Sequence, residues 1–144
     1  KSQKFSNQSL KDKITIVFFG YTSCPDFCPD TLARANKIFA KLQDKDIQLL
    51  FISIDPKDEL SKIKKYVEYF NNDFIGLSIN NSDVKKLVEK SGVYAKKVSS
   101  TGSIDFYDHT GAIFLINKES KLMGLYTPPI KDELIISDLS RMTN

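Results

Sequence analysis

Apolar runs and amphipathic stretches alternate along this chain with little interruption. ITIVFFG (residues 14–20) is apolar apart from Thr15 and closes on glycine, which predicts a strand buried on both faces. Pro29 then stands where a helix begins, with Asp30 and Thr31 in its first turn. Leu32, Ala35, Ile38, Phe39 and Leu42 recur at helical spacing and carry that helix to about Leu42. IQLLFISID (47–55) is a second buried strand, ending at Asp-Pro, and Ile63, Tyr66, Val67 and Phe70 mark the next helix. FIGLSI (74–79) is a short strand. Val84, Leu87 and Val88 mark a helix capped by Ser82-Asp83.

The second half is less regular. Residues 96–110 form a long irregular stretch ending next to the only histidine. AIFLIN (112–117) and KLMGLY (121–126) flank KES and predict a β-hairpin. Beyond Pro128-Pro129, an amphipathic helix runs from about Lys131 to Arg141. The order is β-α-β-α-β-α, loop, β-β-α. That order predicts a three-layer α/β fold with a largely parallel central sheet, helices on its faces and an antiparallel edge from the hairpin. No repeat or linker interrupts it, so residues 1–144 read as one domain with a polar lead-in over residues 1–12.

Composition adds exclusions. The chain has 144 residues, 41% hydrophobic and 27% charged, which is ordinary for one globular domain. Its net charge of +3 comes from 21 basic and 18 acidic residues spread along the chain, so no basic patch marks a nucleic-acid partner. The long apolar run at residues 14–19, broken only by Thr15, falls far short of the ~18 residues needed to span a bilayer. The chain begins at Lys1 and not at Met, the start expected of a processed or truncated form.

Both cysteines fall in one loop, CPDFC, as Cys24 and Cys28. This loop follows the C-terminal end of the first strand and leads into the first helix, where open α/β sheets bind ligands. A helix N-terminus favours thiolate over thiol, and Cys28, directly before Pro29, gains most. Pro25 and Pro29 stiffen the loop. The C-x-x-x-C spacing permits a disulfide couple, a two-thiolate metal site or inert packing. His109 weighs on that choice. The loop before the hairpin belongs at the same sheet edge as the CPDFC loop, so two thiolates and one imidazole form a possible three-coordinate set. Such a set suits Cu(I), Cu(II) or zinc. Asp105 and Asp108 are candidates for orienting the imidazole. Taken alone, a loop histidine is more often a solvated surface residue. Met123 and Met142 are soft-ligand candidates, but Met123 lies in a strand pattern and reads as core. DPKD (55–58) reads as a turn and helix cap.

Taken together, FFGYTSCPDFCPDTL, ISIDP and YDHTGAIFLIN resemble the Sco/SenC family of copper-binding cytochrome c oxidase assembly factors. FIGLSI, SGVYAKKV and GLY follow in the family's order, and the resemblance runs from about Lys13 onward. It implies a thioredoxin-like fold and one copper ion, as Cu(I) or Cu(II), bound by Cys24, Cys28 and His109. It also implies an N-terminal membrane anchor outside this chain and a position at the periplasmic face of the bacterial inner membrane or in the mitochondrial intermembrane space. The implied partners are cytochrome c oxidase subunit II, whose dinuclear copper site is assembled by copper delivery or thiol reduction, and a copper-donor protein; a monomer is expected. Three departures stand out: DPKDE lacks the family's Arg and is shifted by one residue, Asp30 replaces a usual Thr, and the hairpin before the first core strand is shortened or missing.

A metallochaperone that transfers copper by ligand exchange needs no turnover. The alternative of another class is a thiol–disulfide oxidoreductase using Cys24 and Cys28 as its redox pair. Against efficient exchange stand the extra residue between the cysteines and the lack of proline in HTGAIF, where thioredoxin-type enzymes place a cis-proline. A peroxiredoxin fits less well, because Thr22 lies two residues before Cys24 instead of three. Zinc binding by the same ligands and a redox or copper sensor are further readings.

Overall fold

The structure is a computed structural model that describes residues 11–22, 27–42, 46–53, 55–91, 113–126 and 131–143. The elements are β1 (Ile14–Gly20), α1 (Phe27–Leu42), β2 (Ile47–Ser53), α2 (Leu60–Phe70), β3 (Ile75–Ser78), α3 (Ser82–Ser91), β4 (Ile113–Ile116), β5 (Leu122–Tyr126) and α4 (Asp132–Thr143). Among the described residues the expected order holds; the irregular stretch expected over residues 96–110 lies outside them. The strands form one sheet in the order β3-β2-β1-β4-β5. β1, β2 and β3 are mutually parallel, whereas β4 runs antiparallel to β1 and β5 antiparallel to β4.

β1 and β2 are buried at every position, which is what their unbroken apolar runs require. Alternate residues feed two cores. Ile14, Ile16, Phe18, Leu49 and Phe51 meet Leu32 and Ile38 of α1, Ile63 and Val67 of α2, and Ile135 and Leu139 of α4. On the other face Val17, Phe19, Leu50 and Ile52 pack with Leu77, Ile116 and Val84 of α3. The three layers are therefore helix, sheet, helix. Within the buried β1–β2 pair, Gln48 Nε2 donates to Thr15 Oγ1 at 2.9 Å, so these two polar side chains satisfy each other.

Element ends depart from the sequence expectation for identifiable reasons. α1 begins at Phe27, placing Pro29 in the first turn, where its missing N–H costs no helical bond. β2 stops at Ser53, and residues 55–58 form a turn in which Asp58 N–H donates to Asp55 O at 3.0 Å. The cap of α3 lies one residue before the expected Ser82-Asp83. Asn81 Oδ1 accepts from the N–H groups of Asp83 at 2.7 Å and Val84 at 3.3 Å. The hairpin turn is organised by Asn117, whose Oδ1 accepts from Glu119 and Lys121 N–H, with Ser120 at a φ of 68°. Below it the register slips between Leu115 and Ile116, so that Gly124 and Leu122 have partners but Met123 does not. Met123 is a bulge residue on an edge strand and is 58% exposed, contrary to its expected place in the core. Met142, by contrast, is half-buried against the larger core.

The β3–α2 contact admits no side chain at Gly76. A Cβ there would lie 2.8 Å from Ile63 Cγ2 and 3.1 Å from the Ile63 carbonyl oxygen. Gly76→Ala is therefore expected to destabilise the fold by about 1–3 kcal/mol, read as a lower midpoint in urea denaturation with the m-value unchanged.

Candidate metal centre

The register of the sheet decides which loops meet. Gly20 of β1 pairs with Ser53 of β2, and Ser53 with Ser78 of β3, so the three parallel strands end level. β4 enters the sheet from that same edge: Ile113, its first residue, pairs with Phe18 near the end of β1, and Tyr126 at the end of β5 pairs with Ile113. Cys24 lies four residues past Gly20, and His109 lies four residues before Ile113. Chains of that length reach roughly 13 Å, while adjacent strands lie about 4.8 Å apart. Both segments are thus tethered to neighbouring strands at one edge.

Of the expected ligands, Cys28 is placed by its backbone as the second residue of α1, in the first turn. Cys24 and His109 lie outside the described residues, as do Asp105 and Asp108. Among the described residues no group of three or more His, Cys, Asp or Glu side chains could hold a metal. The first turn of α1 also holds Asp30, whose exposed carboxylate accepts from Arg34 Nε at 3.3 Å one turn on. Arg34 reaches Asp132 of α4 as well, at 3.3 Å, and ties the starts of the two helices together.

A buried carboxylate stands at this edge that the sequence pattern did not mark as such. Asp58, in the turn after β2, is 5% exposed. Its Oδ2 accepts the Thr22 N–H at 2.8 Å and the Ser53 hydroxyl at 2.6 Å, and its Oδ1 accepts the Thr22 hydroxyl at 2.6 Å. The DPKD segment is the expected turn, but its acids do not cap α2. The N-cap is Glu59, which makes no side-chain cap bond. Burial pushes the Asp58 carboxyl up, but the hydrogen bonds from Ser53 and from the Thr22 hydroxyl and N–H, with the Lys62 charge, outweigh it and hold it below the usual carboxylate range. The available signal was a Thr just before the CPDFC loop and a Ser ending β2, two hydroxyls that need an acceptor.

A second side-chain pair closes the far side of the same edge. The Tyr126 hydroxyl donates to Asp138 Oδ2 of α4 at 2.6 Å, and Arg141 pairs with the same carboxylate. Burial, then the bond to Asp138, pushes the Tyr126 phenol well up. Tyr126 and Asp138 lie 12 residues apart in different elements, a spacing with no local pattern to reveal it.

A parallel three-stranded half, an antiparallel hairpin and helices on both faces define the thioredoxin-like class, with the first helix starting at the cysteine loop. The thiol:disulfide interchange protein of Chlorobium tepidum shares this fold at a TM-score of 0.65 and 16% identity, over 97% of this chain and 86% of that one. Residues 1–144 match the SCO1/SenC family, and the chain belongs to it. It is 35% identical over 125 residues to SCO2, a mitochondrial protein of Saccharomyces cerevisiae, covering 83% of this chain and 42% of that protein. The copper-bound structure of Bradyrhizobium japonicum ScoI superposes with a TM-score of 0.70 and 31% identity, over 94% of this chain and 88% of that one. The chain spans less than two thirds of the length of the curated relatives it matches.

The Asp58 carboxylate gives stability a pH signature. Its folded pKa is depressed, so the unfolded chain takes up its proton first. Its contribution is then complete above the ordinary Asp value of about 3.9 and is lost as pH falls through the lower folded value. Asp58→Asn is expected to cost about 1–3 kcal/mol at pH 7. The gap to the wild type should narrow steadily in urea melts taken below about pH 4.

Proposed function

We propose that this domain is a copper metallochaperone that binds one copper ion through the Cys24 and Cys28 thiolates and the His109 imidazole. The observation that carries the reading is the register. β1, which runs toward the cysteine loop, and β4, which follows the His109 segment, are neighbours whose end and start lie at one sheet edge, and Cys28 falls in the first turn of α1; this supports the reading. The helix N-terminus stabilises the thiolates, and thiolates with an imidazole suit both copper oxidation states. The copper carried by ScoI, a family member 31% identical to this chain, supports the choice of metal.

Copper is the cargo here. Two thiolates hold Cu(I) strongly, and the single imidazole is the ligand most readily exchanged for one from a recipient. The recipient we propose is the dinuclear copper site of cytochrome c oxidase subunit II, filled by copper transfer or prepared by reduction of its cysteines. Copper would come from a donor protein. The working form is a monomer, held by an N-terminal anchor beyond this chain at the periplasmic face of the bacterial inner membrane. Relatives that are mitochondrial support the intermembrane space as the alternative site. Among the described residues no helix is long and apolar enough to cross a membrane.

The second reading, a thiol–disulfide oxidoreductase using Cys24 and Cys28, is favoured by the fold shared with the interchange protein. An anaerobic Cu(I) titration of the reduced domain separates the two. The wild type should bind one equivalent, and His109→Ala should weaken binding at least about tenfold, the worth of a lost metal-orienting group, while thiol exchange stays nearly intact. A wild type that binds no copper tightly, or a variant that binds equally well, removes the copper reading and leaves the oxidoreductase.

A further inference from the structure

The geometry points to Asp58 as the positioning residue of the thiolate site, acting through Thr22. This rests on Cys24 and Cys28 being the working thiols, since Thr22 is separated from Cys24 by Ser23 alone. Thr22 offers its backbone N–H to one oxygen of the carboxylate and its hydroxyl to the other, at 2.8 and 2.6 Å. Two bonds from one residue to both oxygens fix its orientation as well as its place, and so the direction in which the chain leaves β1.

The carboxylate is itself held from behind. Ser53 donates to Oδ2, Asp58 N–H closes the turn onto Asp55 O, and Lys57 N–H donates to Asp55 Oδ1 at 2.9 Å. Asn80, beyond β3, donates from Nδ2 to Pro56 O at 2.8 Å. A continuous set of bonds thus runs from the end of β3 through the turn to Thr22. The fold does not need it for strand pairing, because β1 and β2 are already in register from Ile14–Ile47 to Gly20–Ser53. What the set adds is control of the position just past the paired strands. A buried carboxylate is a costly way to make a turn, and its hydrogen bonds go to Thr22, just before the cysteine loop, and to Ser53, not to the helix it precedes.

The clamp should set how far apart the two thiols sit before anything binds, and removing it should weaken what both thiols do together. Thr22→Val and Asp58→Asn are each expected to weaken Cu(I) binding about tenfold, measured by competition with a chelator. The double variant should be little worse than either single one, because both remove the same link. Thr22→Ser, which keeps the hydroxyl and the N–H, should restore wild-type affinity.

A second measurement needs no copper. The reduced pair is equilibrated with oxidised glutathione, giving up two electrons and two protons to form the Cys24–Cys28 disulfide and two reduced glutathiones. That equilibrium should shift at least about threefold in Thr22→Val, since the two thiols lose effective concentration. The proposal is overturned if the variants lower only the denaturation midpoint and leave both copper affinity and this equilibrium at wild-type values. Should the wild type bind no copper, the metallochaperone reading falls, and the glutathione equilibrium alone then decides the role of Asp58. If Asp58→Asn does not fold, Thr22→Val, which removes one hydroxyl, carries the test.

Discussion

The burial of β1 on both faces is the constraint on which the rest of the molecule depends. β1 is the strand at which the parallel half of the sheet meets the antiparallel hairpin, with β2 on one side and β4 on the other. Every residue of it is buried, and its alternate side chains take part in both cores. Helices must then cover both faces, which fixes the three layers. Because β4 pairs with β1 in antiparallel sense, the chain must come into β4 at the edge where it leaves β1. The place of the proposed site is a consequence of that single pairing.

Strand pairing ends at Gly20, however, and the cysteines lie beyond it. Past Gly20, polar chemistry takes over from pairing in holding the chain at Thr22. Asp58 is ionised and buried, a state that burial alone would oppose and that Ser53 and Thr22 make favourable together. Tyr126 and Asp138 do a comparable job for the hairpin, joining the end of β5 to α4. Hydrophobic packing shapes the slab. A few charge-assisted hydrogen bonds order the edge of the proposed site.

How much of this was legible in the sequence depends on whether the information was local. Continuous apolar runs announced β1 and β2, and a period of about 3.6 announced α1 and α2, because each pattern is set by the element's own geometry. The edge at which β1 ends and β4 begins was implied by element order alone. Local details failed where a neighbour decided them. Met123 alternates as a core residue should, yet a register slip against Ile116 turns it to solvent. Ser82-Asp83 look like a cap, but Asn81 one residue earlier reaches the N–H groups of the first turn. Asp58 was hidden most completely: DPKD has the composition of a turn, and the partner that gives its carboxylate another task lies 36 residues away. The motif proposed to hold copper was legible as a spacing of residue types. The residue proposed to steady it needed coordinates.

The most direct measurement is copper X-ray absorption on the loaded domain, with the metal in each oxidation state. A coordination shell of two sulfur atoms and one imidazole nitrogen is expected, with the imidazole signal absent in His109→Ala. A shell of oxygen and nitrogen without sulfur, or one that His109→Ala leaves unchanged, would contradict it.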